Sequence, residues 1–244
     1  MPAEGFIRSI EVVAEPEDAS AFPWQLPAVA ALRERGLALD PAVTFLVGEN
    51  GSGKSTLVEA FAVAAGLNAE GGSSGFVFGT RDSHSELWRS LRLVRGTRRP
   101  RTDFFLRAES LFTAASYLES LPQNPLGSYG GKSLHEQSHG ESFLNLVVNR
   151  FEPGGFYVLD EPEAALSARG CLALIARLHD LVRDGAQVVL ATHSPILVGF
   201  PGALVYRLSE EGIEEIDWDE SDPVVLTRRF LADRDALLRH LIDG

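Results

Sequence analysis

Cysteine is almost missing from this sequence: of 244 residues, only Cys171 carries a thiol. One thiol cannot close an internal disulfide, so a cross-linked secreted scaffold is excluded and a reducing, cytoplasmic setting is expected. Long apolar runs are also lacking. Stretches such as residues 196–200 fall far short of the roughly 20 residues a membrane helix needs, so direct membrane insertion is not expected. The start of the chain, with Glu4 and no basic-then-apolar pattern, does not read as a signal peptide. Positive charge is in deficit, with 22 Lys and Arg against 34 Asp and Glu and a net charge of −12. That balance argues against a surface given over wholly to a nucleic-acid backbone. What remains is the composition of an ordinary globular protein, 45% apolar and 23% charged. This length allows one large domain or two small ones, and a single domain over residues 1–244 is expected.

The charge is unevenly spread. Arg89, Arg92, Arg95, Arg98, Arg99, Arg101 and Arg107 crowd one stretch, while residues 210–222 are strongly acidic. The arginines read equally as a solvated arm or as a docking patch for a phosphate backbone or acidic partner.

Residues 6–13 alternate apolar and polar and predict a strand. Residues 22–27 crowd aromatics with prolines and read as irregular or as an edge. The wholly apolar, partly β-branched run 42–47 predicts a strand buried on both faces, ending at Gly48. A helix follows over 54–66, with Leu57 and Phe61 on one face and Gly66 as its stop. Residues 68–75 are loop. The middle region offers a strand at 104–106, a helix near 110–121, a loop at 122–132 and a helix over about 141–150. Strands at 156–159, 187–191 and 203–208 then alternate with a helix at 168–183, and an amphipathic helix over 224–241 closes the chain. Such alternation implies an α/β fold with a mainly parallel sheet flanked by helices on both sides.

The strongest motif is Gly48-Glu49-Asn50-Gly51-Ser52-Gly53-Lys54-Ser55-Thr56, a full G-x-x-x-x-G-K-S match between a buried strand and a helix. Gly51 and Gly53 let the backbone curl so that its N–H groups surround phosphates, and the helix N-terminus adds positive potential. Lys54 is expected to reach the β- and γ-phosphates, and the Ser55 hydroxyl to ligate magnesium. Asn50 to Thr56 are therefore the candidate nucleotide-binding residues. A second motif, residues 156–162 (FYVLDEP), delivers two successive carboxylates to the C-terminal edge of a strand, where parallel α/β sheets bind ligands. Asp160 is expected to hold Mg2+, and Glu161 to take a proton from the attacking water. Ser138 and Glu141 have the spacing of a helix capping box. A capped N-terminus also offers N–H groups and a hydroxyl to an anion. Residues 187–195 (QVVLATHSP) end a buried strand in His193, one helix after the carboxylates.

Together these four elements resemble the ABC-type ATPase superfamily. Within it the chain looks closest to stand-alone AAA-type ATPases related to SMC and RecF-like heads, through GENGSGKST, FFLRAES, SHGES, LDEPEAALS and ATHSPIL across about residues 40–200. The resemblance implies a P-loop NTPase with an antiparallel N-terminal portion and a helical, signature-bearing lobe over about residues 83–150. It implies Mg2+-dependent ATP hydrolysis in which Lys54, Glu161 and His193 are catalytic, His193 contacting the γ-phosphate. Ser138 and Gly140 match a variant of the family's Ser-Gly-Gly-Gln signature and imply contact with ATP held by a second subunit, hence an ATP-dependent homodimer. The implied task is a conformational cycle on a soluble protein or nucleic-acid partner. The ATP-binding subunit of a membrane transporter and a slow ATP-gated clamp or regulator stand as alternatives. Two departures are visible. No glutamine follows the middle strand, where Glu109 is the substitute, and Ser167 stands in place of an interface aspartate and also reads as a helix cap. Phe22 and Trp24 are candidates to stack on adenine, against the alternative of packed edge residues.

Overall fold

A computed structural model of the protein describes residues 4–14, 16–69, 71–73, 85–109 and 138–242. The alternating start of the chain is strand β1 (Ile7–Val12). Helix α1 (Pro27–Arg35) and the two-residue β2 (Leu37–Ala38) follow. The apolar run becomes β3 (Val43–Gly48), buried throughout, and leads through the glycine-rich loop into α2 (Lys54–Ala65). Then come β4 (Leu91–Arg95), β5 (Asp103–Arg107), α3 (His139–Arg150) and β6 (Phe156–Asp160). The chain continues through α4 (Ala168–Arg183), β7 (Gln187–Ala191) and the hairpin β8 (Leu204–Ser209) and β9 (Gly212–Ile216). Helices α5 (Asp222–Ala232) and α6 (Arg234–Ile242) complete it.

Six strands form the main sheet in the order β5-β6-β7-β3-β8-β9, parallel except for the β8–β9 hairpin. A separate antiparallel sheet, β2-β1-β4, lies in the N-terminal portion, as expected. The period-two alternation of the central strands decides which layer each residue joins. Phe45, Val47, Leu159 and Leu190 face α3 and α4, meeting Phe143, Leu146 and Leu174. Leu46, Val158 and Val189 face the other way, meeting Leu57 and Phe61 of α2 with Ile10 and Leu32 beyond. Helix α4 is amphipathic, burying Cys171, Leu174, Leu178 and Leu181 at helical spacing. Gln187 joins the two sheets. Its Oε1 accepts from the Ile7 N–H at 3.0 Å, and its Nε2 donates to Ile7 O at 2.7 Å and Asp40 O at 2.9 Å.

Register places the functional edge. Arg107, Asp160, Ala191 and Leu46 occupy one row across β5, β6, β7 and β3. The phosphate loop, the carboxylate pair and the histidine therefore leave the sheet at the same C-terminal edge.

Three expectations are modified. Helix α1 has no counterpart in the sequence pattern; Pro27 pre-sets its first turn, and Ala28, Val29 and Leu32 supply a buried stripe. The closing helix is two helices: Asp233 breaks it and its Oδ1 accepts from Ala236 N at 2.9 Å, starting α6. Residues 91–95 add a strand that the sequence does not announce, while β5 is the strand expected at 104–106. The helix near 110–121 and the loop at 122–132 lie outside the described residues. No helix among the described residues is long and apolar enough to cross a membrane.

Candidate nucleotide site

The loop after β3 is shaped by its glycines. A Cβ on Gly48 would stand 2.2 Å from the Leu208 carbonyl oxygen, and Gly53 starts α2 at φ 93°, a conformation that side chains disfavour. Lys54 is buried at 3% exposure, and its Nζ donates to the carbonyls of Gly48 at 3.0 Å and Glu49 at 2.9 Å. Burial lowers the Lys54 pKa, against the opposing charges of Glu161, Asp160 and Glu163. Ser55 and Thr56 open the helix, half-buried, while Asn50, Gly51 and Ser52 line a cleft on the outer flank of the loop. Pro27, residues 208–211 and Asp222 complete that cleft.

Asp160 ends β6 at 5% exposure. Burial pushes its carboxyl up to about 6, although Arg107 pulls it down from 3.4 Å. Arg107 is also bound to Glu59 at 2.8 Å. The Ser55 hydroxyl donates to Asp160 Oδ1 at 3.2 Å. The Ser55 hydroxyl oxygen thus meets an oxygen of a buried carboxylate, two hard oxygens side by side. That is the donor chemistry magnesium takes, so the residues fit the ion.

The next residue, Glu161, is the one non-glycine with positive φ among the described residues (φ 47°, ψ 53°). Left-handed backbone is costly for a side chain and is held only where the surroundings fix it. Here Glu161 N donates to Ala191 O at 3.0 Å, and its Oε1 meets His193 Nε2 at 3.0 Å. The His193 backbone N–H in turn donates to Glu163 Oε1. Lys54, Ser55, Asp160, Glu161 and His193 are therefore brought to one edge, as their spacing predicts. The sequence places Arg107 only in the arginine stretch, as solvated arm or docking patch, and assigns Glu163 no role; the structure sets Arg107 against Asp160 and Glu59, and Glu163 against His193. Their contacts span dozens of positions, and the only signals were an arginine ending FFLR and a third acidic residue after the DEP triplet.

Ser138 and Gly140 lie elsewhere. They line a second cleft with Leu144, Ala165, Ser167 and Arg169, which shares no residue with the cleft beside the phosphate loop. Ser138 caps α3 in a capping box: its Oγ accepts from Glu141 N at 3.4 Å, and its N–H donates to Glu141 Oε2 at 3.1 Å. Ser167 caps α4, accepting from Gly170 N at 3.2 Å. Glu109 is exposed beyond β5, and its charge contributes to raising Asp160. Phe22 is 61% exposed and Trp24 packs partly on the α2 core; neither lines the cleft beside the loop. The arginine stretch is largely occupied within the chain. Arg89 pairs with Glu86 at 2.5 Å, Arg92 with Glu11, and Arg98 lies over the Phe6 ring at 5.4 Å.

Residues 43–109 match the family model described as "AAA domain, putative AbiEii toxin, Type IV TA system". Comparison with curated proteins finds no match. Among solved structures the chain is similar to cbiO1 from Clostridium perfringens, part of the ABC transporter complex cbiONQ. The identity is 18%, covering 99% of this chain and 100% of that one, with a TM-score of 0.53. It is also similar to the SmcHead bound to the C-winged helix domain of ScpA, at 11% identity over 86% of this chain and 97% of that one, with a TM-score of 0.50. At such identities the likeness is one of fold. The chain thus carries an AAA-domain sequence match across its phosphate loop, within a fold it shares with cbiO1 and the SmcHead.

Proposed function

We propose that the chain binds ATP with Mg2+ at the phosphate loop, hydrolyses it, and works as an ATP-dependent homodimer. In this reading the cycle of closing and opening acts on a soluble protein or nucleic-acid partner. The observation that carries the reading is the convergence of Lys54, the Ser55–Asp160 pair at 3.2 Å and the Glu161–His193 pair at 3.0 Å on one sheet edge. Lys54 exchanges its bonds to the loop carbonyls for bonds to the phosphates, keeping its charge compensated. Ser55 and Asp160 hold magnesium, which when bound neutralises charge on the phosphate oxygens. Glu161 accepts a proton from the attacking water, and His193, set against Glu161, faces the γ-phosphate. The signature residues Ser138 and Gly140 line a cleft apart from this loop, which supports their serving the ATP of a second copy.

Three measurements test the proposal. Lys54→Ala is expected to abolish ATP binding. Glu161→Gln is expected to keep binding and lose turnover by about 100-fold or more. With ATP and magnesium, light scattering of Glu161→Gln is expected to show a dimer. Normal phosphate release by Glu161→Gln overturns the assigned roles, and a monomer under these conditions overturns the ATP-dependent homodimer.

A further inference from the structure

We infer that Glu163 is the positioning residue for His193: its carboxylate fixes the backbone of the loop after β7 and so sets the imidazole against Glu161. Glu163 stands in the short 3-10 turn Pro162–Ala164, which the left-handed Glu161 initiates. That kink turns the chain back alongside the end of β7, where Glu163 Oε1 accepts the hydrogen bond of the His193 N–H. The two loops are joined again through Glu161 Oε1 and His193 Nε2 at 3.0 Å. One acidic residue thus holds the histidine's main chain while the other meets its ring.

The cost of this arrangement points to its use. The other Glu163 oxygen, Oε2, is buried with no hydrogen-bond partner among the described residues. A buried carboxylate oxygen without a donor is a cost to the fold, which a small apolar residue would not carry. What such a residue would lose is the bond to His193. The charge of Glu163 also bears on Lys54. A substitution that removes the charge but keeps an acceptor oxygen separates the two effects: Glu163→Gln retains the hydrogen bond, and Glu163→Ala retains neither.

The inference rests on the reading of Glu161 and His193 as the hydrolytic pair. The test combines steady-state ATPase kinetics on the full chain with histidine ring 15N spectra recorded without nucleotide. Glu163→Ala is expected to lower kcat about 10- to 100-fold with KM for ATP within about twofold of the parent. Glu163→Gln is expected to restore kcat to within about threefold. The His193 ring resonance should shift in the alanine variant and stay in place in the glutamine variant. Unchanged kcat in Glu163→Ala, equal loss in both variants, or an unmoved His193 resonance overturns the inference. Glu163→Met takes the place of alanine if that variant does not fold. A parent chain without ATP turnover sinks the hydrolytic reading instead, and the nucleotide-free spectra then decide on Glu163 alone.

Discussion

Asp160 shows how one residue's chemistry is set by burial rather than by identity. Its carboxyl lies at about 6 in the folded chain, first because it is buried, above the ordinary carboxylate value near 4. The native state therefore holds an extra proton between about pH 4 and 6. The sign follows: stability is greatest below that window and falls as pH rises through it. The full penalty above pH 6 is about 3 kcal/mol. Asp160→Asn imitates the protonated side chain. In the nucleotide-free protein it is expected to gain about 1–3 kcal/mol at pH 7.5, and the gain is expected to vanish near pH 4. Urea unfolding of both chains at the two pH values measures this, and a gain independent of pH rules burial out as its cause. The asparagine also weakens the proposed magnesium site, so ATP turnover is expected to fall while stability rises.

Among elements, α3 has the most divided duties. Ser138 both caps the helix and is proposed to meet the ATP of a second copy. Ser138→Ala removes the capping oxygen and is expected to cost about 1 kcal/mol in urea unfolding. Ser138→Asp keeps a capping oxygen but turns a negative charge towards an incoming phosphate. It also sets a carboxylate against Glu141 Oε2, to which the Ser138 hydroxyl donates at 2.7 Å. It is therefore expected to unfold about as readily as Ser138→Ala yet, unlike that variant, to form no dimer with ATP in the Glu161→Gln background. Intact dimerisation there would leave Ser138 with the cap as its only role. Elements were legible where local patterning and packing agree. The fully apolar β3 and β7 and the amphipathic α4 appear where the sequence places them. Helix α1 was not legible, since its stripe gains meaning only against β1 and the β8–β9 hairpin that cover it. The break at Asp233 was hidden for a related reason: α5 and α6 leave Leu226, Leu231, Leu241 and Ile242 exposed, so their apolar spacing mimics one longer helix.

For the molecule as a whole, Gln187 is the joint between the two sheets. It satisfies both main-chain groups of Ile7 and the Asp40 carbonyl within a buried setting. Gln187→Ala leaves all three short of a partner and is expected to cost roughly 2–4 kcal/mol. The urea midpoint should fall with an unchanged m value if the fold still melts as one unit. A reduced m value would instead mean that the N-terminal sheet detaches first. The sequence by itself determined what can be decided over a few neighbouring residues: the phosphate loop, the strand-borne carboxylates, the histidine behind them and the cap at Ser138. Local spacing suffices there because backbone periodicity fixes where such residues point. Only the tertiary structure decided that Arg107 braces Asp160, that Glu163 holds His193 and that Gln187 ties the sheets together. Those contacts join residues 53, 30 and 180 positions apart, and strand order and register, not neighbourhood in the chain, bring them within reach.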